Sequence, residues 1–445
     1  MHLTPEEQAT GRRNFLRAVA GVPVLAGLGA ASLARGPIAG GPVRVGYIGV
    51  GGEGRVLLGA TDPAYAHVVA MADINPAQLA RADTVLEKAG LAKATHYAEW
   101  RQMIEKESLE GVIIATPLWT HAEITVACLE AGLHVLCEKM MAWDVEGCER
   151  MRAAARRTGK VLEIGYQRCY NTVYQAAYEG LVKAGVLGDV FMARLAWHRN
   201  GNWRRTGDPP AASYDPSTWG YPTWEHLLNW RLYKKYSRGL LAELASHQVN
   251  ISNWFFGAEP EAVIATGGIH RFKDGREVDD HLYATFEYPG GRTAVFSTIE
   301  SNAFERNYEV FYGTRATLLL QGESEAYLFE EAGAAPAAAR PTGIEVQPKS
   351  AGPALSASES RAADAAGRPA TGGAAGVNAD RLAAYRAEIS GFCSTIRTGA
   401  PLLCGPDRAI GSAIACIVAV DAVAGKTRLP IRVPLAGQAG TAAQS

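Results

Sequence analysis

Gly49-Val50-Gly51-Gly52-Glu53-Gly54 follows an apolar run and precedes a helical pattern, and glycines at this spacing make a cradle for phosphate. Gly49 permits a tight turn, Gly51 lets a pyrophosphate approach the backbone, and Gly54 allows close helix–strand packing. The helix N-terminus behind the loop would meet the phosphates with free N–H groups and a positive dipole end. Asp73, nineteen residues beyond Gly54, ends the next apolar run, where a carboxylate bonds ribose hydroxyls. Ile74-Asn75-Pro76 bring no arginine, so NAD is expected rather than NADP. The plain alternative for Asp73 is a turn residue ahead of Pro76. Farther on, Glu243 and His247 stand four apart, so on a helix the carboxylate could orient the imidazole as a general base. The plain alternative is a surface or interdomain contact. Trp197 to Tyr236 is dense in aromatic and cationic residues. Tryptophans stack on sugar rings and arginines read hydroxyls, so Trp203, Arg231 and the earlier Arg168 are candidate substrate contacts. The same residues could equally pack a long connection or an oligomer interface.

These groups need a scaffold, and the hydropathy rhythm supplies one. Val43–Val50, His67–Ala72, Gly111–Ala115, His134–Cys137 and Val161–Gly165 read as buried strands, separated by helical stretches Arg55–Thr61, Pro76–Ala89, Thr120–Ala131 and Glu146–Thr158. Such alternation predicts an α/β fold, a doubly wound parallel sheet over residues 42–165. Beyond Gly165 the strands Phe191–Trp197, Ala262–Gly267, His281–Tyr288, Thr293–Glu300 and Tyr308–Tyr312 are joined in part by hairpin turns. They predict a second, α+β domain over 166–330 with an open, mostly antiparallel sheet. Residues 331–378, rich in Ala, Gly, Pro and Ser, read as a flexible insertion, and helices Ala379–Thr398 and Asp407–Gly425 within 379–435 complete the fold.

In 445 residues, 44 Lys and Arg balance 45 Asp and Glu, a net charge of −1 that gives no footprint for nucleic acid or an anionic membrane. The seven cysteines show no metal-ligand spacing and read as buried thiols. Residues 1–34 read as an address rather than structure. Arg12-Arg13-Asn14-Phe15-Leu16 has the twin-arginine spacing, Ala18 to Leu33 is apolar, and Ser32-Leu33-Ala34 offers a cleavage site. Twin-arginine export moves folded proteins, so the export machinery is an expected partner, the periplasm or another exported location the destination, and a retained, locally regenerated cofactor the consequence.

Two further segments carry a family resemblance. Ala115-Thr116-Pro117-Leu118-Trp119-Thr120-His121 and Gly132-Leu133-His134-Val135-Leu136-Cys137-Glu138-Lys139, with the glycine loop and Asp73, resemble the Gfo/Idh/MocA family of glucose–fructose oxidoreductase-like and inositol dehydrogenase-like enzymes. The resemblance spans roughly Val43 to Leu320 plus the C-terminal helices. It implies that Thr116, Pro117 and His121 lie against the cofactor, with Glu138 and Gln167 close by, and that Lys139 is the active-site lysine. The chain departs from the family at Met140, usually proline. It departs again around His247, with Glu243 for a usual aspartate, Asn250 for a usual acidic residue and Ala245 for a common glycine. The family's open sheets often pair face to face, implying a homo-oligomer.

Oxidising a secondary alcohol takes a hydride acceptor, a base for the hydroxyl proton and a cation near the developing alkoxide. His247 is assigned as base, Glu243 as its orienting partner and Lys139 as the group that polarises the reacting oxygen. The expected function is NAD(H)-dependent oxidation of a sugar, glycoside or cyclitol. The first alternative is a redox-neutral glycosidase that oxidises, eliminates, hydrates and re-reduces. The second is a non-catalytic binding protein.

Overall fold

A Thr4–Glu7 capping box starts helix α1 (Pro5–Val19) in the computed structural model, which describes residues 3–20, 38, 40–331 and 379–434. Gly11 and Phe15, four apart, form the buried stripe of α1. A Cβ on Gly11 would lie 2.7 Å from the Phe329 ring, so glycine is what allows the close approach. Arg12, one of the two arginines, bonds Glu325 at 2.7 Å. The segment read as an unstructured address is therefore, over Pro5–Val19, a helix packed on the second domain. The apolar run's centre and the cleavage site lie outside the described residues, as does nearly all of the 331–378 insertion.

Apolar runs without alternation form the first sheet, because both its faces are covered. β1 (Val43–Ile48), β2 (Ala66–Ala72), β3 (Thr95–Tyr97), β4 (Gly111–Ile114), β5 (His134–Glu138) and β6 (Leu162–Gly165) pair in parallel in the order β3-β2-β1-β4-β5-β6. The helices α2 (Gly52–Ala60), α3 (Pro76–Lys88), α4 (Trp100–Lys106), α5 (His121–Glu130) and α6 (Val145–Thr158) connect them. The order reverses between β1 and β4, and the carboxyl ends there form the crevice in which such sheets bind ligands.

The second domain follows with α7 (Thr172–Ala177), β7 (Val190–His198), α8 (Trp224–Leu228) and α9 (Ser246–Phe256), then β8 (Ala262–Gly268), β9 (His281–Tyr288), β10 (Arg292–Ile299) and β11 (Asn307–Gly313). Its sheet continues with β12 (Ala316–Gln321) and β13 (Glu325–Glu330), and β14 (Arg428–Pro430) adds to the far edge. The order is β13-β12-β11-β7-β10-β9-β8-β14, antiparallel except for the β7–β10 pair. β3, β12, β13 and β14 were not read from the sequence. The β12–β13 hairpin hides its turn, because Gly322 and Glu323 both take positive φ, 60° and 64°, and glutamate is not a residue expected there.

The C-terminal helices α10 (Ala379–Thr398) and α11 (Pro406–Gly425) pack on the fold at two places. Tyr385, Ile389, Phe392 and Cys393 of α10 share one buried cluster with Val43, Val45, Tyr47 and Leu57, so α10 completes the nucleotide-binding half. Each large apolar side chain buried this fully contributes roughly 1.5–3 kcal/mol. Arg397 forks onto Glu110 at 2.5 and 2.7 Å and anchors the end of α10 to the first domain. α11 packs against β8, α9 and α6 and joins the halves. All seven cysteines are buried free thiols.

Beneath this junction lies Glu163, wholly buried. One of its carboxyl oxygens accepts the Cys404 N–H at 3.0 Å, and burial pushes the group up to about 8. The folded chain thus holds a proton that the unfolded chain releases near its ordinary pKa of about 4.3. Native stability from this group is full below that value and is lost as pH rises to about 8, roughly 5 kcal/mol in all. Glu163→Gln keeps an oxygen for Cys404 and removes the titration. Melting curves from pH 5 to 8 should therefore fall less steeply for the variant than for the parent; equal slopes would refute the assignment.

Candidate functional site

The glycine loop behaves as its spacing requires. Gly49 takes φ 84°, and a Cβ on Gly54 would lie 2.1 Å from the Gly49 carbonyl oxygen. Gly51 has open space where a Cβ would be and caps α2 without a side chain, which leaves the lip clear and the helix N–H groups available. Asp73 lies at this lip and accepts N–H bonds from Val50 at 2.9 Å and Asn75 at 2.8 Å. Asn75, not Asp73, caps α3. Burial raises the Asp73 carboxyl to about 6, against the pull of those two bonds. These residues fit a dinucleotide, with pyrophosphate on Gly51–Gly54 and ribose at Asp73.

At the ends of β4, β5 and β6 stand Thr116 and Pro117, Glu138 and Lys139, and Gln167. His121, buried, has Nδ1 3.0 Å from the Met140 carbonyl and Nε2 3.0 Å from the Thr116 carbonyl. Burial disfavours the charged ring, and the neutral ring carries one N–H, so it donates to only one of these two carbonyls at a time. The Lys139–Met140 peptide is cis, and Met140 packs in the core. Burial, with Glu53 adding to it, pushes the Glu138 carboxyl up to about 8. Gln167 is buried beside the network described below.

Lys139 donates its Nζ proton to the Glu243 carbonyl at 2.8 Å, which aims the ammonium from the first domain across to the second. His247 lies edge-on to Tyr166 and near Trp197. Its Nδ1 is sealed off and has no hydrogen-bond partner among the described residues. Burial first, then the charges of Lys139, Arg168 and Arg381, hold its pKa well below the ordinary value, so the ring is neutral at pH 7. Lys139 and His247, 108 positions apart, are brought together by the interdomain junction.

Glu243 does not orient His247. Its carboxylate is held by Arg231 Nε at 3.0 Å and Ser237 Oγ at 3.4 Å. Glu243 lies in a π-helical turn, Leu241–Ala245, immediately before α9. The wider turn means a four-residue step does not return to one face, which defeats the α-helical spacing argument. Arg231 is accordingly committed to Glu243 and stacks on Trp230, at the rim rather than free for a substrate.

Arg168 is also corrected. It is 1% exposed, ion-paired with Glu309 and, at 2.8 Å, with Glu323, and packed on the Trp197 ring. That is a buried structural network, closed to substrate, and it accounts for the left-handed Glu323. Trp203 lies partly exposed with the Arg199 guanidinium 4.4 Å from its ring centre. Asn250, at the departure from the family pattern, donates to Ser412 Oγ at 3.1 Å and ties α9 to α11. Two residues near the site carried no sequence signal, Tyr385 and Arg381 of α10. Tyr385 Oη donates to Glu53 of the glycine loop at 2.5 Å, and Arg381 donates to Tyr385 at 2.9 Å.

Comparison with known proteins accords with this geometry. Residues 43–166 match the model described as oxidoreductase family, NAD-binding Rossmann fold, and residues 175–319 match the GFO/IDH/MocA C-terminal domain. A glycosyl hydrolase family 109 protein of Stenotrophomonas maltophilia is 28% identical over 251 residues, 52% of this chain and 54% of that protein. An inositol 2-dehydrogenase of Klebsiella pneumoniae is 34% identical over 167 residues, 36% of this chain and 46% of its own. The chain thus spans about half the length of the curated relatives it matches. The WlbA dehydrogenase of Bordetella pertussis, solved with NADH and UDP-GlcNAcA, superposes with a TM-score of 0.63 at 16% identity, covering 88% of this chain and all of that one. The two matched halves cover more than half of the chain in the order the fold requires, and the protein belongs to the Gfo/Idh/MocA family of NAD-binding oxidoreductases.

Proposed function

We propose that this chain oxidises a secondary alcohol of a sugar, glycoside or cyclitol with a tightly held NAD(H), and that it works outside the cytoplasm after twin-arginine export. The observation that carries the chemical part is the meeting of the Lys139 ammonium with a neutral, unengaged His247 beyond the glycine loop's crevice. Bound NAD supplies the hydride acceptor. His247 takes the hydroxyl proton, and Nε2 is the nitrogen that remains for it, since Nδ1 is sealed. Lys139 keeps protons beyond the one given to the Glu243 carbonyl, and these stabilise the oxygen on which negative charge develops. Trp203 at the rim suits a sugar ring. Export rests on the Arg12-Arg13 segment. Pairing of two copies through the open sheet is supported by Ile264 and Tyr283, both exposed on it.

The likeness to glycosyl hydrolase family 109 proteins favours a second reading, redox-neutral glycoside cleavage, in which the same two residues serve oxidation and re-reduction. One preparation tests both. Protein purified without added cofactor is denatured and the released dinucleotide identified by mass and absorbance. Near-stoichiometric NAD or NADH is expected. Sustained aglycone release from a glycoside panel, with no added cofactor, selects the second reading; reduced dinucleotide that accumulates after one turnover selects the first. No dinucleotide, and none bound on adding it back, refutes both.

A further inference from the structure

The segment leaving β7 crosses from the second domain back to the first. Tyr214 Oη donates to the Ile74 carbonyl at 2.9 Å, one residue past Asp73, and Trp119 Nε1 donates to Tyr221 Oη at 2.9 Å. Its root is held from several sides. Arg276 donates to the Asn202 carbonyl at 2.5 Å, and Asn202 Oδ1 accepts the Arg204 N–H at 3.1 Å. Between them Trp203 takes φ 59°, a left-handed conformation that a bulky residue keeps only where its surroundings impose it. Asn229, buried, accepts the Arg205 N–H at 2.6 Å and donates to the Arg205 carbonyl at 3.0 Å. The backbone of Arg205 is therefore fixed.

Its side chain is not. On the second domain the guanidiniums around it have carboxylates: Arg199 has Glu300, Arg204 has Asp274 and Glu225, Arg231 has Glu243, and Arg276 has Asp274. Arg205, partly buried, has no ion pair or side-chain hydrogen bond among the described residues. It faces Arg231 and, from the glycine-loop helix, Arg55, and the carboxylate near it, Glu243, is already taken by Arg231. Burial and then these two cations pull Arg205 down to about 10. A partly buried guanidinium without a counterion, open at its tip and carried on a fixed backbone, is poised for an anion, which its fork would hold through two hydrogen bonds.

We propose that Arg205 is an oxyanion-binding residue of the cleft, taking a phosphate of the dinucleotide or an acidic group on the substrate. The inference rests on the functional reading above for the identity of the ligand, though not for the presence of the site. Arg205→Gln in the full chain should leave the melting temperature unchanged or raise it, since the side chain holds no protein partner and faces two cations. Calorimetry with inorganic pyrophosphate should show binding to the parent weakened at least tenfold in the variant. If the dinucleotide brings the anion, release of NADH, followed by fluorescence on dilution into excess NAD, should be at least tenfold faster. If the substrate brings it, NADH release should stay equal while KM for a uronic acid rises at least tenfold and KM for the matching neutral sugar does not. Arg205→Lys should recover part of either effect. A variant equal to the parent in all three measurements overturns the proposal. A parent that holds no NADH would defeat the functional reading instead, and the pyrophosphate titration would still decide Arg205.

Discussion

Lys139→Ala should lower kcat by about 10²–10³-fold or more while leaving the dinucleotide bound, because the cation acts on charge that develops only in the transition state. The side chain makes one hydrogen bond, to the Glu243 carbonyl, so its removal should cost little stability. Single-turnover kinetics with the cofactor stoichiometry measured in parallel is the appropriate check. Wild-type rates in Lys139→Ala would remove the lysine from the mechanism. Loss of cofactor along with rate would make it a binding residue. The contrast with His247 is informative. On the proposed reading His247 is the base, kept in its unprotonated form at neutral pH by burial and three neighbouring cations that also weaken its basicity, and its replacement should flatten the acid limb of the pH–rate profile.

Arg168→Met should destabilise the fold rather than weaken substrate binding. The guanidinium compensates Glu309 and Glu323, both buried, and Tyr174 Oη also donates to Glu309 at 2.7 Å. Removing the cation leaves buried carboxylates uncompensated, a loss of about 3–5 kcal/mol. For a chain of this size that is roughly a 3–5 °C fall in melting temperature. Adding Glu309→Gln, and leaving Glu323 to its second cation Arg381 at 3.9 Å, should restore part of it, since the carboxylate left without a cation is then neutral. A stable Arg168→Met with a raised KM would return this residue to the substrate site.

The first sheet, the glycine loop and Asp73 were legible because their determinants are local. A strand buried on both faces must be apolar throughout, and a loop that cradles phosphate must have glycine where a Cβ would strike backbone. Lys139 and His247 were singled out for a different reason, since a family resemblance at the strand end and in the second domain pointed to them, and their roles are proposed. The roles of Glu243 and Arg168 were not. Spacing predicts a shared face only on a regular helix, and the π turn at Leu241–Ala245 breaks that rule without any mark in composition. An arginine beside an active-site motif reads alike whether it faces a ligand or two buried glutamates far along the chain.

What the sequence determined by itself is therefore the alternation of elements, the nucleotide cradle and the residue types available for proton transfer, all set within a few turns of chain. What the tertiary structure alone decided is partnership. It seated α10 on the glycine-loop helix from over 300 positions away, closed Arg168 into a buried network, turned Glu243 to Arg231 and left Arg205 without a counterion. Such pairings depend on which charges packing brings within a few ångströms, and in a desolvated interior those distances, rather than residue identity, determine whether a charged side chain binds a ligand or another part of the fold.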